Sequence, residues 1–167
     1  MTHRSTILVV LEARGDLWEL GKNADAVVIT TNGFVKKNGH AVMGRGCARE
    51  ARDRWAGLDL RLGTLIRIHG NRCFRFAASL PNNEGSCLVS FPVKPERGLD
   101  GEPGWSCPAE MWLIRQSARQ LVEMADKFGW GSVVLPRPGC GNGGLDWDDV
   151  RPILEAILDD RFTVVTF

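Results

Sequence analysis

Three glycines late in the chain, Gly139, Gly141 and Gly144, are spaced G-x-G-x-x-G between a strand-like run at residues 132–135 and a helix-like one that follows Asp146. Backbone N–H groups in such a turn, backed by the positive end of a helix, suit an anion such as a phosphate. Two common uses of the spacing are excluded by its surroundings. A dinucleotide-binding fold needs several more strand and helix units, and here one helix and one strand follow. A Walker loop needs Gly-Lys-Ser/Thr, which is absent. A tight glycine-rich turn that binds nothing uses the same residues, so the loop alone leaves both readings open.

Other chemistries find less support. The five cysteines, Cys47, Cys73, Cys87, Cys107 and Cys140, are odd in number and scattered, without C-x-x-C or a histidine at ligand spacing, so reduced thiols are expected and no metal or cofactor is called for. A net charge of +1, from 21 Lys+Arg and 20 Asp+Glu, excludes a strongly basic nucleic-acid clamp. Two local clusters, Arg45, Arg49, Arg52 and Arg54, and Arg67, Arg72 and Arg75, suit either a basic groove or a solvated face. The six tryptophans, with no tyrosine, are expected in the core or in a pocket wall.

These candidate groups need a framework. At 44% hydrophobic and 25% charged, 167 residues fit one soluble globular domain, taken as 1–167. The apolar runs at 5–11 and 24–29 are far shorter than the roughly 20 residues a membrane helix needs, so no membrane association is expected. The opening residues lead into a strand-like stretch without the pattern of a signal peptide, which gives a cytoplasmic expectation.

Residues 6–11 read as a strand that stops before Gly15-Asp16, and 24–31 as a strand covered on both faces. A long Gly-interrupted loop, 32–46, leads to a short helix at 47–55. Residues 64–68 and 73–77 flank His69-Gly70-Asn71-Arg72 as a hairpin would. The run at 87–91 should end at Pro92, followed by an irregular segment, 93–107, with the composition of a mobile loop or lid. Pro108 suits the first turn of a helix in which Met111, Ile114, Ala118, Leu121, Ala125 and Phe128 recur at three- and four-residue steps until Gly129. Asp146, Asp148 and Asp149 open a second amphipathic helix, and 162–167 form a last strand. The result is an α/β domain with a mixed β-sheet sandwiched between α-helices.

Within that framework, Gly15-Asp16-Leu17, residues 24–32, Val42-Met43-Gly44-Arg45-Gly46-Cys47-Ala48 and residues 139–147 fall in an order and spacing that resembles a macrodomain, the ADP-ribose-binding module. The resemblance covers nearly the whole chain. Its more specific pieces, Gly-Cys-Gly-Asn-Gly-Gly-Leu-Asp-Trp at 139–147 and Phe91-Pro92-Val93-Lys94, look like the branch holding the DNA ADP-ribosyl glycohydrolase antitoxins and the terminal ADP-ribose protein glycohydrolase.

The resemblance implies that Asp16 accepts from the adenine amine beside the Leu17 backbone, although an Asp there also suits a helix cap. It implies that Asn32 lies at the distal ribose, where a turn residue is the alternative. Val42, Met43, Gly44, Arg45 and Gly46 would wrap the diphosphate and distal ribose from one side, and Gly139, Cys140, Gly141, Asn142, Gly143 and Gly144 would close over the diphosphate from the other. Lys94 takes the chemical role implied by the branch, attack at the anomeric carbon, which requires desolvation to lower its pKa. Catalysis is therefore assigned to Lys94 and Asn32.

Three departures bear on the substrate. Pro95-Glu96-Arg97 stands where the antitoxins commonly have His-Trp-Arg, and Gly143 stands where the terminal protein glycohydrolase has its catalytic aspartate. Residues 33–39 are an insertion relative to the antitoxin pattern, whose Phe34, Lys36 and Lys37 suit a base or phosphate as well as plain solvent. Asp146, Asp148 and Glu96 are alternative acids or bases. The expected activity is an ADP-ribosyl glycohydrolase releasing ADP-ribose from a modified macromolecule, foremost a base in single-stranded DNA, and acting as a monomer. A non-catalytic ADP-ribose binder and a hydrolase of a small ADP-ribose-derived nucleotide are the rivals.

Overall fold

The structure, a computed structural model, describes residues 10–76 and 86–167. Six strands, β1 (Leu11–Arg14), β2 (Ala26–Asn32), β3 (Phe74–Phe76), β4 (Cys87–Lys94), β5 (Val133–Pro136) and β6 (Phe162–Thr166), form one sheet in the order β1-β6-β5-β2-β4-β3. Every pairing is parallel except that of the edge strand β3 with β4. The helices are α1 (Leu17–Leu20), α2 (Gly46–Arg54), α3 (Leu58–His69), α4 (Met111–Phe128) and α5 (Trp147–Glu155).

Alternation along the central strands decides which helix covers which face. Val28 of β2, Val89 and Phe91 of β4, and Val133 and Leu135 of β5 pack with Ile114, Ala118, Leu121 and Ala125 of α4 and with Val150 and Leu154 of α5. The next residue along points the other way: Ile29 and Leu88 meet Ala48, Ala51, Leu62 and Ile66 of α2 and α3, while Val27 and Val134 meet Leu17. Both faces are thus buried, which is why β2 and β4 read as continuous apolar runs.

Several expectations need correction. Residues 64–68 are not the first arm of a hairpin but the second half of α3, whose buried face is Leu58, Leu62, Gly63 and Ile66; Gly70 ends it with φ +87°. Residue 77, the end of the expected second arm, lies outside the described residues, as do 6–9 of the expected opening strand; the strand described there, β1, lies later and pairs Leu11 with Thr163. Pro92 does not end β4. The neighbouring β3 reaches only to Ser90, and the Pro92 carbonyl accepts from Ser117 Oγ of α4 at 2.7 Å, so a missing N–H costs no ladder bond there. Nor does Pro108 open α4. The Ala109 N–H donates to the Gly143 carbonyl (3.0 Å) and the Glu110 N–H to that of Val93 (2.9 Å), which holds both residues out of the helix until Met111.

One close approach sets the position of the loop between β2 and α2. A Cβ on Gly63 would lie 1.9 Å from the Gly39 carbonyl oxygen, backbone against backbone. Gly63→Ala is expected to cost about 3 kcal/mol, seen as a fall of roughly 6–12 °C in Tm by calorimetry. An unchanged Tm would contradict this packing.

Candidate functional site

The carboxyl ends of β2, β4, β5 and β6 open into a cleft of about 1160 Å³. Open parallel sheets bind ligands there because the loops diverge beyond the strand ends. Asn32 and Lys94 are register partners at the ends of the adjacent strands β2 and β4, so the fold itself sets them side by side on the cleft floor.

Residues 42–48 form one wall. The Asn32 Nδ2 donates to the Val42 carbonyl at 2.9 Å, and its Oδ1 accepts from the Phe34 N–H at 2.9 Å, so this one side chain pins both ends of the excursion between β2 and α2. No side chain caps α2. The N–H groups of its first turn, at Gly46, Cys47 and Ala48, open on the cleft beside the exposed Arg45, giving the wall a positive end.

Residues 139–147 form the facing wall. Gly139 and Gly144 both have φ +75°, which glycine adopts freely, and the turn is closed by donation from Leu145 N–H to the Gly139 carbonyl (2.9 Å) and from Gly144 N–H to that of Gly141 (3.1 Å). The N–H groups of Gly141, Asn142 and Gly143 donate to none of the described residues. Two walls of unspent amides facing one another suit an anion between them. Asp146 lines the cleft, but its Oδ1 accepts from the Asp148 N–H as the cap of α5. Asp148 and Glu96 lie outside the lining.

Lys94 stands at one end. Its Nζ donates to the Trp105 carbonyl at 3.1 Å, and Asn71 Nδ2 fixes its own carbonyl at 3.0 Å. Burial, and then the nearby Arg45 guanidinium, hold its pKa below that of a free lysine. The cleft thiols move the opposite way: burial raises Cys47, and raises Cys140 to about 11, so both stay protonated near neutral pH and are poor nucleophiles. The segment after Lys94, expected as a mobile loop, folds back on itself. Gly98 N–H donates to the Glu102 carbonyl (2.9 Å), Gly104 N–H to that of Glu96 (2.8 Å), and Arg97 to that of Gly101 (3.0 Å).

Asp16 and Leu17 are not in the cleft lining. Asp16 Oδ1 caps α1, accepting from the N–H groups of Trp18 (2.9 Å) and Glu19 (3.0 Å), and the Leu17 side chain is buried against β2, β5 and β6. Gly15 N–H donates to the Thr166 carbonyl at 2.8 Å, which sets Asp16 beside the end of the cleft where Thr166 and Phe167 lie. Asn32, Lys94, Val42 to Gly46 and Gly139 to Gly144 all line the cleft, whereas Phe34, Lys36 and Lys37 do not.

The lining also includes residues to which the sequence assigned no binding role, among them Trp105, Cys107, Arg137 and Phe167, together with Trp147, the last residue of the 139–147 block. Arg137 lies 4.8 Å from the Trp147 ring and 3.8 Å from Glu12, and its Nε is buried without a partner among the described residues. The available signal was position: Arg137 and Phe167 directly follow strands, Trp105 and Cys107 sit in the irregular segment after β4, and Trp147 opens α5 after the glycine turn. The arrangement suits an elongated ligand with an anionic centre between the amide walls and one end beside Lys94.

No family profile matches the chain. Over 64 residues it is 31% identical to the DNA ADP-ribosyl glycohydrolase of Mycobacterium tuberculosis, a match covering 38% of this chain and 16% of that protein. The chain thus matches less than a fifth of that relative's length. Among solved structures, the macrodomain of Thermus aquaticus DarG superposes with a TM-score of 0.72 at 24% identity, covering 95% of this chain and 98% of that one. Thermosipho africanus DarTG in complex with ADP-ribose gives a TM-score of 0.71 at 20% identity, covering 94% of this chain and 42% of that one. The chain has the macrodomain fold.

Proposed function

We propose that this macrodomain-fold chain binds ADP-ribose in the cleft and hydrolyses its link to a base in single-stranded DNA. The observation that carries the reading is a lysine of lowered pKa at the end of a strand, beside a cleft with two amide walls. The diphosphate lies between Gly46 and the Gly139 to Gly144 turn, Asp16 and the Leu17 backbone meet the adenine beyond Phe167, and Asn32 holds the distal-ribose wall. Support for the linkage comes from the curated glycohydrolase that shares part of the sequence and from the absence of a side chain at Gly143, which removes an aspartate partner for the lysine.

In the reaction the neutral Lys94 amine adds to the anomeric carbon, and the carbon–nitrogen bond to the base breaks with its electron pair going to the base nitrogen. That nitrogen is protonated, water replaces the lysine on carbon, and the net change is addition of H and OH across the glycosidic bond. The step so written calls for no group beyond the lysine and water. The test is release of ADP-ribose from a single-stranded oligonucleotide ADP-ribosylated on thymine, followed by mass spectrometry. Free ADP-ribose and an unmodified strand are expected. Binding of ADP-ribose without release from this strand would leave a binder, or an enzyme for another linkage.

A further inference from the structure

The cleft's lysine end carries a feature that hydrolysis itself does not require. Trp105, in the strap of residues 95–107 after β4, lines the cleft and is 48% exposed, while its carbonyl accepts from Lys94 Nζ. The strap bearing it is joined to the excursion between β2 and α2 by Gly33 N–H donating to the Pro95 carbonyl (3.3 Å) and by Arg97 lying 5.2 Å from the Phe34 ring. These contacts make one shelf from two loops. Lys36 and Lys37 are exposed on it; the Lys36 backbone is tied to His40 and Arg67, which fixes the loop without using either lysine side chain.

We infer that this shelf is a track for the strand flanking the modified nucleotide, with Trp105 stacking on the neighbouring base and Arg97, Lys36, Lys37 and Arg45 taking phosphates. Single-stranded nucleic acid is held by exposed aromatics on which bases stack together with cations that take the backbone, and these two loops carry both an exposed Trp105 and the cations Lys36, Lys37 and Arg97. Net charge near neutral does not oppose a local basic track. The inference rests on the DNA reading proposed above and adds that the enzyme recognises the strand as well as the ADP-ribosyl group.

The test compares two substrates, a single strand of about 12 nucleotides carrying one ADP-ribosylated thymine and the ADP-ribosylated nucleoside alone. The strand is expected to have a kcat/KM about 10-fold higher, falling steeply with salt. Trp105→Ala and the double variant Lys36→Glu/Lys37→Glu should each lower the strand-to-nucleoside ratio about 5- to 10-fold. Equal kcat/KM for both substrates, or a ratio that neither variant moves, overturns the track and leaves the hydrolase. Binding of ADP-ribose with no release from either substrate removes the DNA reading and the track together.

Discussion

Lys94→Ala protein is expected to bind ADP-ribose with near wild-type affinity and to release it from the modified strand at least about 10³-fold more slowly. The two effects separate because the cleft divides the work. In the proposed binding mode the diphosphate sits on the amides of Gly46, Gly141 and Gly143 and the ribose beside Lys94, whose Nζ donates to the Trp105 carbonyl. Lys94→Arg should be equally slow, since it keeps the charge but its guanidinium stays protonated and offers no nucleophilic amine. The pH profile carries the sign. The neutral amine is the reactive form, so kcat should rise with pH through the lowered lysine pKa and then level off. Arg45 helps to lower that pKa, so Arg45→Ala should move the rising limb to higher pH as well as weaken binding. Single-turnover release over a pH series, with calorimetry for ADP-ribose, measures both. A Lys94→Ala protein that turns over normally would end the nucleophile assignment.

The glycine turn was legible because its requirements are local: two positive-φ residues, a preceding buried strand and a capping Asp146 all leave marks in sequence. Lys94 was legible only through its motif, since nothing in Pro92-Val93-Lys94-Pro95 announces that the strand continues to the lysine. That outcome depends on β3 stopping at Ser90, a tertiary fact. The misread hairpin has the same origin. Thr64, Ile66 and Ile68 favour a strand locally, but Gly63 fits against the Gly39 carbonyl and Leu62 and Ile66 bury on β2 and β4 only as a helix. Asp16 shows the converse: its cap was readable from type and position, while its place beside Thr166 follows from the parallel pairing of β1 with β6. Trp105 belongs to no periodic pattern, and Phe167, read as the end of the last strand, lies just past β6; the strap and the sheet end bring them into the cleft.

Gly143 gives the second large effect. Gly143→Asp protein is expected to lose ADP-ribose affinity by about 10²-fold and to acquire no protein-directed activity. A Cβ at this position would lie 2.5 Å from the Gly139 carbonyl oxygen and 2.7 Å from Ala109 Cβ, so the turn must open before any side chain fits. Opening it breaks the Leu145 to Gly139 bond or the Ala109 to Gly143 bond and turns the amides of 141–143 away from the anion. Losing two charge-assisted hydrogen bonds, at about 1.5 kcal/mol each, corresponds to roughly 10²-fold, and the new carboxylate beside a diphosphate adds repulsion. Gly143→Ala separates the causes. A loss as large as that of the aspartate identifies the collision, whereas near wild-type binding by Gly143→Ala identifies charge. Calorimetric titration of both variants, with Tm as the check on folding, decides between them, and tight binding by Gly143→Asp would show that the turn does not hold the ligand.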